Sequence, residues 1–355
     1  MKRMILLLPL LLWAAMACAA NNGEQGSANN GALCGTNNGA LCGANAGALC
    51  GAFSVGKGCQ VSFSQGNLQY QASTGRWRFA EHQYDMISAA NAKISTTYTG
   101  WIDLFCWGTG NKPASSATDY SKYTTYTEWG VNAISNGGNG ISNGVNANSN
   151  GGKAISNGGN EGGQWRTLSK DEWVYLLLTR ENAAKLCALG KVNGVNGLIL
   201  LPDEWTTPQG LTFVPSTQKG FAKKATYYKS AQQNGYSHNV YTAEQWAKME
   251  KAGAVFLPAV GYRWGKDLKH TGTDGCYWSS TPNEEDEAEA YNVDFSAGYI
   301  GARTRTGLGF GQSVRLVCPH KTKPVRKRSV QSLDSIPVPK NVRQYKPWCE
   351  KSILF

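Results

Sequence analysis

Cysteine is the residue type that offers the most chemistry in this sequence, where it occurs ten times. Cys276 and Cys318 bracket a strand-like region near the C-terminus, so they are candidates for a disulfide bond. Cys34, Cys42 and Cys50 stand in three copies of the unit Gly-Ala-Leu-Cys-Gly, which segment duplication explains better than a bridging pattern does. Their spacing of eight residues also fits no zinc motif, because zinc ligand pairs stand about two to four residues apart. The sequence therefore offers one candidate cysteine pair and no cysteine metal motif.

The other groups that could do chemistry are four histidines and an acidic run. The histidines are His82, His238, His270 and His320. They lie far apart and lack the i, i+4 spacing of a helical metal pair, so each is expected to be a surface or core residue. The acidic run within 284–289 has the oxygen ligands that calcium prefers, but a run of like charges usually forms a solvated loop. We therefore expect no metal and no cofactor.

The segment 282–312 has the composition of a binding surface. Short strand-like stretches alternate there with polar and aromatic residues, and Tyr and Arg are the side chains that most often dominate binding surfaces. The candidate ligand-binding residues are Asn283, Tyr291, Asn292, Tyr299, Arg303 and Arg305. These side chains favour non-covalent recognition of a protein or glycan, and ordinary strand or loop exposure is the alternative for each of them.

Two helices and several strands are predicted to position these residues. The segments 169–172 and 242–245 are capping boxes, each followed by apolar residues at helical spacing, and each predicts the start of a helix. Alternation of polar and apolar residues on both sides of the turn at 73–75 predicts a β-hairpin. The apolar segments 197–201 and 254–257, each closed by a proline, predict buried strands. Helices and antiparallel strands in this order indicate an α+β domain.

The N-terminus has the layout of a secretory signal peptide. Two basic residues precede an apolar run over 4–13, and Ala15-Met16-Ala17 stands where a cleavage site is expected. The run is too short to span a bilayer, which takes about 20 apolar residues. Because Cys18 follows directly, residues 1–18 predict either lipoprotein cleavage with a lipidated Cys18 or simple secretion, and both stay open.

Three further segments fall outside a packed core by composition. Residues 19–52 are a repetitive Asn/Gly/Ala-rich stretch, which predicts a flexible spacer. Residues 133–160 form four heptads with Asn-Gly in each, which opposes a helix and predicts an expanded surface loop. Residues 319–355 carry nine Lys/Arg against two acidic residues, a net charge of +7 out of +11 for the whole chain. We expect membrane contact only through this basic tail or a lipid on Cys18, and no nucleic acid partner, because no recognition fold accompanies the tail.

Segments spread over most of residues 53–318 carry a resemblance to a known family. They are FSQGNLQY (63–70), WRFAE (77–81), GWIDLF (100–105), QWRTLSKDEW (164–173), LPDEW (201–205), VFLPAVGY (255–262), YWSS (277–280) and SVRLV (313–317). In this order they resemble a family of exported bacterial domains with a C-type lectin-like fold, abundant in Bacteroidetes and Fibrobacter and often labelled a major paralogous domain. The resemblance implies an α+β domain over 53–318, with an antiparallel β-core, two flanking helices and long irregular loops that present a ligand.

The resemblance also implies a function and its alternatives. We expect a binding module, not an enzyme, secreted or attached to the outer cell surface of a bacterium, with a protein or glycan as its ligand. A related fold serves formylglycine-generating enzymes, whose chemistry requires a reactive pair of cysteines in one pocket, and Cys276 with Cys318 is the candidate pair. A structural envelope protein without a specific ligand is the third hypothesis. Cys106 and Cys276 stand where the family is expected to have glycine or an aromatic residue, which leaves the disulfides open.

Overall fold

The computed structural model describes residues 47–93, 95–108 and 165–320 of the 355-residue chain. The chain divides into two units, residues 1–320 and 321–355, and only the first contains described residues. The predicted signal peptide with Cys18, most of the predicted spacer, the four heptads and the basic tail beyond His320 lie outside the described residues.

Strands dominate the described part of the chain. The strands are β1 (Phe53–Gly56), β2 (Cys59–Phe63), β3 (Leu68–Gln71), β4 (Arg76–Phe79), β5 (Cys187–Val192), β6 (Val195–Leu200), β7 (Ala222–Lys223), β8 (Tyr227–Lys229), β9 (Val240–Tyr241), β10 (Val255–Pro258), β11 (Tyr262–Trp264), β12 (Asp267–Lys269), β13 (Gly275–Pro282), β14 (Glu289–Ser296), β15 (Tyr299–Gly307) and β16 (Val317–Pro319). The α-helices are α1 (Lys170–Val174) and α2 (Ala243–Lys251). The described residues therefore form a mostly β, α+β architecture, which agrees with the predicted class.

A three-stranded antiparallel sheet joins the two ends of the described fold. Its strand order is β1–β2–β16. Upstream of β1, the side chain of Leu49 is fully buried, and beyond β16 the backbone N–H of His320 donates to the Gln60 carbonyl oxygen at 3.0 Å. The folded region thus extends a few residues beyond both predicted limits, into the predicted spacer at one end and the predicted tail at the other.

A second sheet has the strand order β10–β6–β5–β9, antiparallel except for the parallel β5–β9 pair. Its strands β6 and β10 are the two buried strands predicted from the apolar segments, and all four residues of β10 are buried. Gly197 in β6 lies very close to β10, where an added Cβ would collide with the Leu257 carbonyl oxygen and the Phe256 ring. A larger residue at this position would push the two strands apart.

The third sheet carries the predicted ligand-binding segment. Its five strands pair antiparallel in the order β13–β14–β15–β8–β7. Tyr277 and Trp278 on β13 are fully buried, as a framework role requires. Two separate hairpins, β3–β4 and β11–β12, complete the topology, and the first of them is the hairpin predicted around 73–75.

Both helices begin at the predicted capping boxes. The Glu172 backbone N–H donates to Ser169 Oγ at 3.2 Å, and the Ser169 N–H donates to the Glu172 carboxylate at 2.9 Å. Thr242 and Gln245 form the same reciprocal pair at 3.2 and 2.9 Å. These bonds satisfy N–H groups that a helix start leaves unpaired, and the first box fixes Lys170 at the start of α1, beside β13. No helix within the described residues is long and apolar enough to span a membrane.

Aromatic side chains fill much of the interior. The buried apolar residues form three clusters, and four tryptophans are among the largest fully buried side chains. These tryptophans are Trp165, Trp173, Trp246 and Trp278. Trp246 of α2 packs on Phe256 of β10 with ring centroids 5.5 Å apart, which attaches this helix to the second sheet. The aromatic-rich composition thus serves the core, and the exposed aromatic residues need a separate explanation.

Candidate functional site

The structure divides the six predicted ligand-binding residues into buried and exposed groups. Asn283, Tyr291 and Asn292 are buried, Tyr299 is half-buried, and Arg303 and Arg305 are exposed. The two arginines are separated by one residue on β15, so their side chains leave the strand on the same face. We call the exposed side chains of Arg303 and Arg305 the arginine edge, and it is the part of the predicted site that a large ligand reaches without rearrangement.

The ring of Tyr291 holds two cationic side chains beside it. The guanidinium carbon of Arg303 lies 5.2 Å from the ring centroid, and Lys170 Nζ lies 4.7 Å from it. Arg303 Nη2 also donates to the Tyr291 hydroxyl at 3.4 Å. This hydrogen bond, with smaller contributions from Asp171 and Glu285, raises the pKa of Arg303. The buried tyrosine therefore acts as a support that orients a charged guanidinium at the surface.

Asn283 organises the acidic loop that follows β13. Its Nδ2 donates to Glu289 Oε2 at 3.1 Å, and its Oδ1 accepts from the Glu285 backbone N–H at 3.2 Å. Glu285 in turn accepts a hydrogen bond from Arg305 Nη1 at 2.8 Å. Both charged side chains are well exposed, so the pair contributes on the order of 1 kcal/mol or less to stability. It connects the predicted solvated loop to the arginine edge.

Asn292 and Tyr299 support the sheet beneath the arginine edge. Asn292 Oδ1 accepts hydrogen bonds from the hydroxyls of Thr304 and Thr306, at 3.1 and 3.2 Å, and so connects β14 to β15. Tyr299 packs against Tyr227 with ring centroids 5.4 Å apart, and burial raises the pKa of Tyr299 to about 12. Both side chains are already engaged with the protein, so we assign them to the framework instead of to ligand contact.

The predicted disulfide between Cys276 and Cys318 is not formed. Cys276 is a free thiol on β13 of the third sheet, whereas Cys318 lies on β16 of the first sheet and is buried. Burial, together with the nearby charges of Asp294 and Asp274, raises the pKa of the Cys276 thiol. The thiol therefore stays protonated at neutral pH, which makes it a poor nucleophile and a poor redox group.

The histidines are dispersed, and three of the four have a local contact. His82 and His270 each lie beside one aspartate, at 3.3 and 3.1 Å. His320 Nδ1 forms a hydrogen bond with Ser62 Oγ at 2.8 Å, and burial lowers the pKa of His320. Within the described part of the chain, no group of three His, Cys, Asp or Glu residues is placed to hold a metal ion.

A second exposed feature was missed by the sequence analysis. We call it the aromatic row, and it consists of Trp264, Phe310, Tyr262 and His270. Trp264 stacks on Phe310 with ring centroids 5.6 Å apart, and the Phe310 ring packs against the Tyr262 ring with centroids 5.7 Å apart. Tyr262 then stacks on His270 at 5.6 Å. Trp264 is 53 % exposed, one of two large hydrophobic side chains exposed to this degree among the described residues.

Part of the aromatic row had a sequence signal. Tyr262 and Trp264 are two residues apart on a short strand, so an alternation of period two places both rings on one face. The buried residue between them, Arg263, occupies the opposite face. Phe310 and His270 come from other segments, and only the tertiary fold brings them to the same row.

Comparison with protein families gives a match to the C-terminal part of the fold. The family described as a domain of unknown function (DUF8237) matches residues 218–317. The matched region contains both the arginine edge and the aromatic row. No curated protein matches the chain, and no solved structure does.

Proposed function

We propose that the protein is an exported, cell-surface-attached binding module with a C-type lectin-like fold, which recognises a protein or glycan without covalent chemistry. The N-terminal signal pattern supports export. The α+β architecture, together with the resemblance over most of residues 53–318, supports the fold assignment. The arginine edge supports the binding function.

The exposed guanidinium of Arg303 is the observation that carries this proposal. A guanidinium has five N–H donors, and among the described residues its hydrogen bond goes to the Tyr291 hydroxyl, with no ion pair. Most of its donors are therefore available to a ligand. Because the Tyr291 ring already holds the side chain in place, binding immobilises few additional rotamers, and this reduces the entropic cost of association.

The surroundings of the arginine edge favour a particular ligand chemistry. A guanidinium recognises the two oxygens of a carboxylate through parallel hydrogen bonds. The nearby carboxylates of Asp171 and Glu285 would repel a densely anionic ligand. The ligand that fits this balance carries isolated carboxylates, such as an acidic side chain of a protein or an acidic sugar within a glycan.

Arg303→Ala is expected to lower the affinity for such a ligand by about tenfold or more, because the oriented donors are lost. The ligand is found by screening the purified full-length chain against immobilised glycans and against host and envelope proteins, and the affinity is then measured by biolayer interferometry. Arg303→Lys is expected to fall between wild type and Arg303→Ala, because lysine keeps the charge and loses the planar donor pair.

Arg76→Ala provides the matched control. Arg76 is an exposed arginine on β4, in a hairpin outside the third sheet, so its loss is expected to leave binding unchanged. Equal affinity of wild type and Arg303→Ala would contradict the role of the arginine edge, as would equal losses in Arg303→Ala and Arg76→Ala.

A further inference from the structure

The aromatic row is held by buried contacts behind it. Arg263, which lies between Tyr262 and Trp264, is fully buried and donates to the Gly265 carbonyl oxygen at 2.8 Å. The backbones of Arg263 and Gly311 exchange two hydrogen bonds of 2.8 Å each. These bonds fix the β11–β12 hairpin against the segment that carries Phe310. The rings are thus presented on a rigid base, which is what an exposed recognition surface needs.

The far end of the row is also held in a defined conformation. His270 has a φ of 57°, in the left-handed region that side chains with a Cβ seldom adopt. Its carbonyl oxygen accepts hydrogen bonds from the Thr273 N–H at 3.0 Å, the Thr273 hydroxyl at 2.9 Å and the Asp274 N–H at 3.0 Å. The Asp274 carboxylate also lies 3.1 Å from His270 Nδ1. Several contacts therefore maintain an uncommon backbone conformation at an exposed residue.

Trp264, the most exposed apolar ring of the row, offers too little area by itself for a protein partner. A tryptophan side chain presents at most about 250 Å², so the exposed part of Trp264 is on the order of 130 Å². A stable protein interface buries about 800 Å² on each partner. The other large hydrophobic residue exposed among those described, Val240, lies on β9 in a different sheet. The exposed area of Trp264 is about the size of one ring of a small ligand or of a chain of rings.

Polar residues neighbour the exposed ring on the paired strand, where Asp267 lies directly opposite Trp264. Lys266, in the turn of the hairpin, and Asp267, the first residue of β12, are both exposed, and Asp267 forms an ion pair with Lys269 at 3.4 Å. Together these groups supply both hydrogen-bond donors and acceptors. A pyranose sugar has the complementary chemistry, because its C–H face fits the electron-rich face of an aromatic ring and its edge carries hydroxyl groups.

We propose that the aromatic row is a stacking subsite for the pyranose rings of a neutral glycan, with Trp264 as its main contact. The row is a second binding surface on this chain and does not depend on the arginine edge. Its glycan needs no carboxylate, since the recognition is by ring stacking and hydroxyl hydrogen bonds.

The test is isothermal titration calorimetry of the purified full-length chain with cellohexaose, laminarihexaose and chitohexaose. Calorimetry is preferred to intrinsic fluorescence because the chain has 12 tryptophans. Trp264→Ala is expected to lower the affinity for the oligosaccharide that binds by about tenfold, and Trp264→Phe to retain most of it, because the phenyl ring preserves the stack. Val240→Ala, at the other exposed apolar residue, and Arg76→Ala, at an exposed arginine on β4, are expected to bind like wild type.

Three results would overturn the proposal. The first is absence of binding to all three oligosaccharides, and the second is equal affinity of wild type and Trp264→Ala. The third is a lower oligomeric state of Trp264→Ala in sedimentation velocity, because the row would then be a contact between copies of the chain. Failure of the arginine edge is a separate result, because that surface is tested with Arg303→Ala against ligands that carry carboxylates.

Discussion

Arg315→Ala is expected to lower the free energy of unfolding by about 3–5 kcal/mol. Arg315 is 1 % exposed, and its Nη2 donates to the Gln65 carbonyl oxygen at 3.3 Å and to Gln83 Oε1 at 2.8 Å. Its Nη1 donates to Asn67 Oδ1 and to the Phe256 carbonyl oxygen, both at 3.4 Å. Truncation leaves these buried acceptors without that donor and opens a cavity among segments that are distant in sequence.

Urea unfolding at neutral pH measures this effect. Burial lowers the pKa of Arg315 to about 10, which still leaves the guanidinium charged at neutral pH. The control is Arg76→Ala, where an exposed arginine is removed and the change is expected to stay within about 0.5 kcal/mol. A loss below about 1 kcal/mol for Arg315→Ala would contradict the account of the buried guanidinium as a connection between these segments.

Asp294→Asn is expected to make stability less dependent on pH between about pH 4 and pH 6. Asp294 Oδ1 is buried and has no hydrogen-bond partner among the described residues. Burial raises the pKa of Asp294 from 3.8 to about 6, so the unfolded chain releases this proton first as the pH rises. The folded state then binds more protons, and the free energy of unfolding falls across this interval by about 3 kcal/mol from this site.

The measurement is a series of urea unfolding curves for wild type and Asp294→Asn from about pH 4 to pH 8. Asp103 is fully buried and its pKa is raised to about 7, so it contributes its own slope in both proteins and cancels in their difference. The difference in free energy, variant minus wild type, is expected to increase with pH and to level off above about pH 7. A difference that does not change with pH would contradict the buried-carboxyl assignment.

The sequence predicted the elements that local interactions define. The capping boxes at Ser169 and Thr242 involve residues three positions apart, so their hydrogen bonds need no knowledge of the rest of the fold. The β3–β4 hairpin is likewise set by a short turn and an alternating pattern. The limits of the domain were less predictable, because Leu49 is buried in an apolar cluster whose other members come from distant segments, such as Leu257 and Val317.

The candidate site depended on contacts that the sequence does not encode locally. Tyrosine is a residue type that often contacts ligands, and the sequence therefore suggested this role for Tyr291. In the structure, Lys170 of α1 lies over the Tyr291 ring, and the buried ring supports Arg303. Cys276 and Cys318 bracket one region in sequence but lie in two different sheets. In each case the packing of one sheet against other elements, which periodicity cannot reveal, decided the role of the side chain.

The most direct test of the binding proposal compares wild type, Arg303→Ala and Cys276→Ser on the same panel of immobilised glycans and envelope proteins. The proposal expects saturable binding by wild type, the same affinity for Cys276→Ser, and a loss of about tenfold or more for Arg303→Ala. The proposal would be contradicted if wild type bound nothing on the panel. It would also be contradicted if wild type oxidised peptides, Cys276→Ser lost both this activity and binding, and Arg303→Ala had no effect.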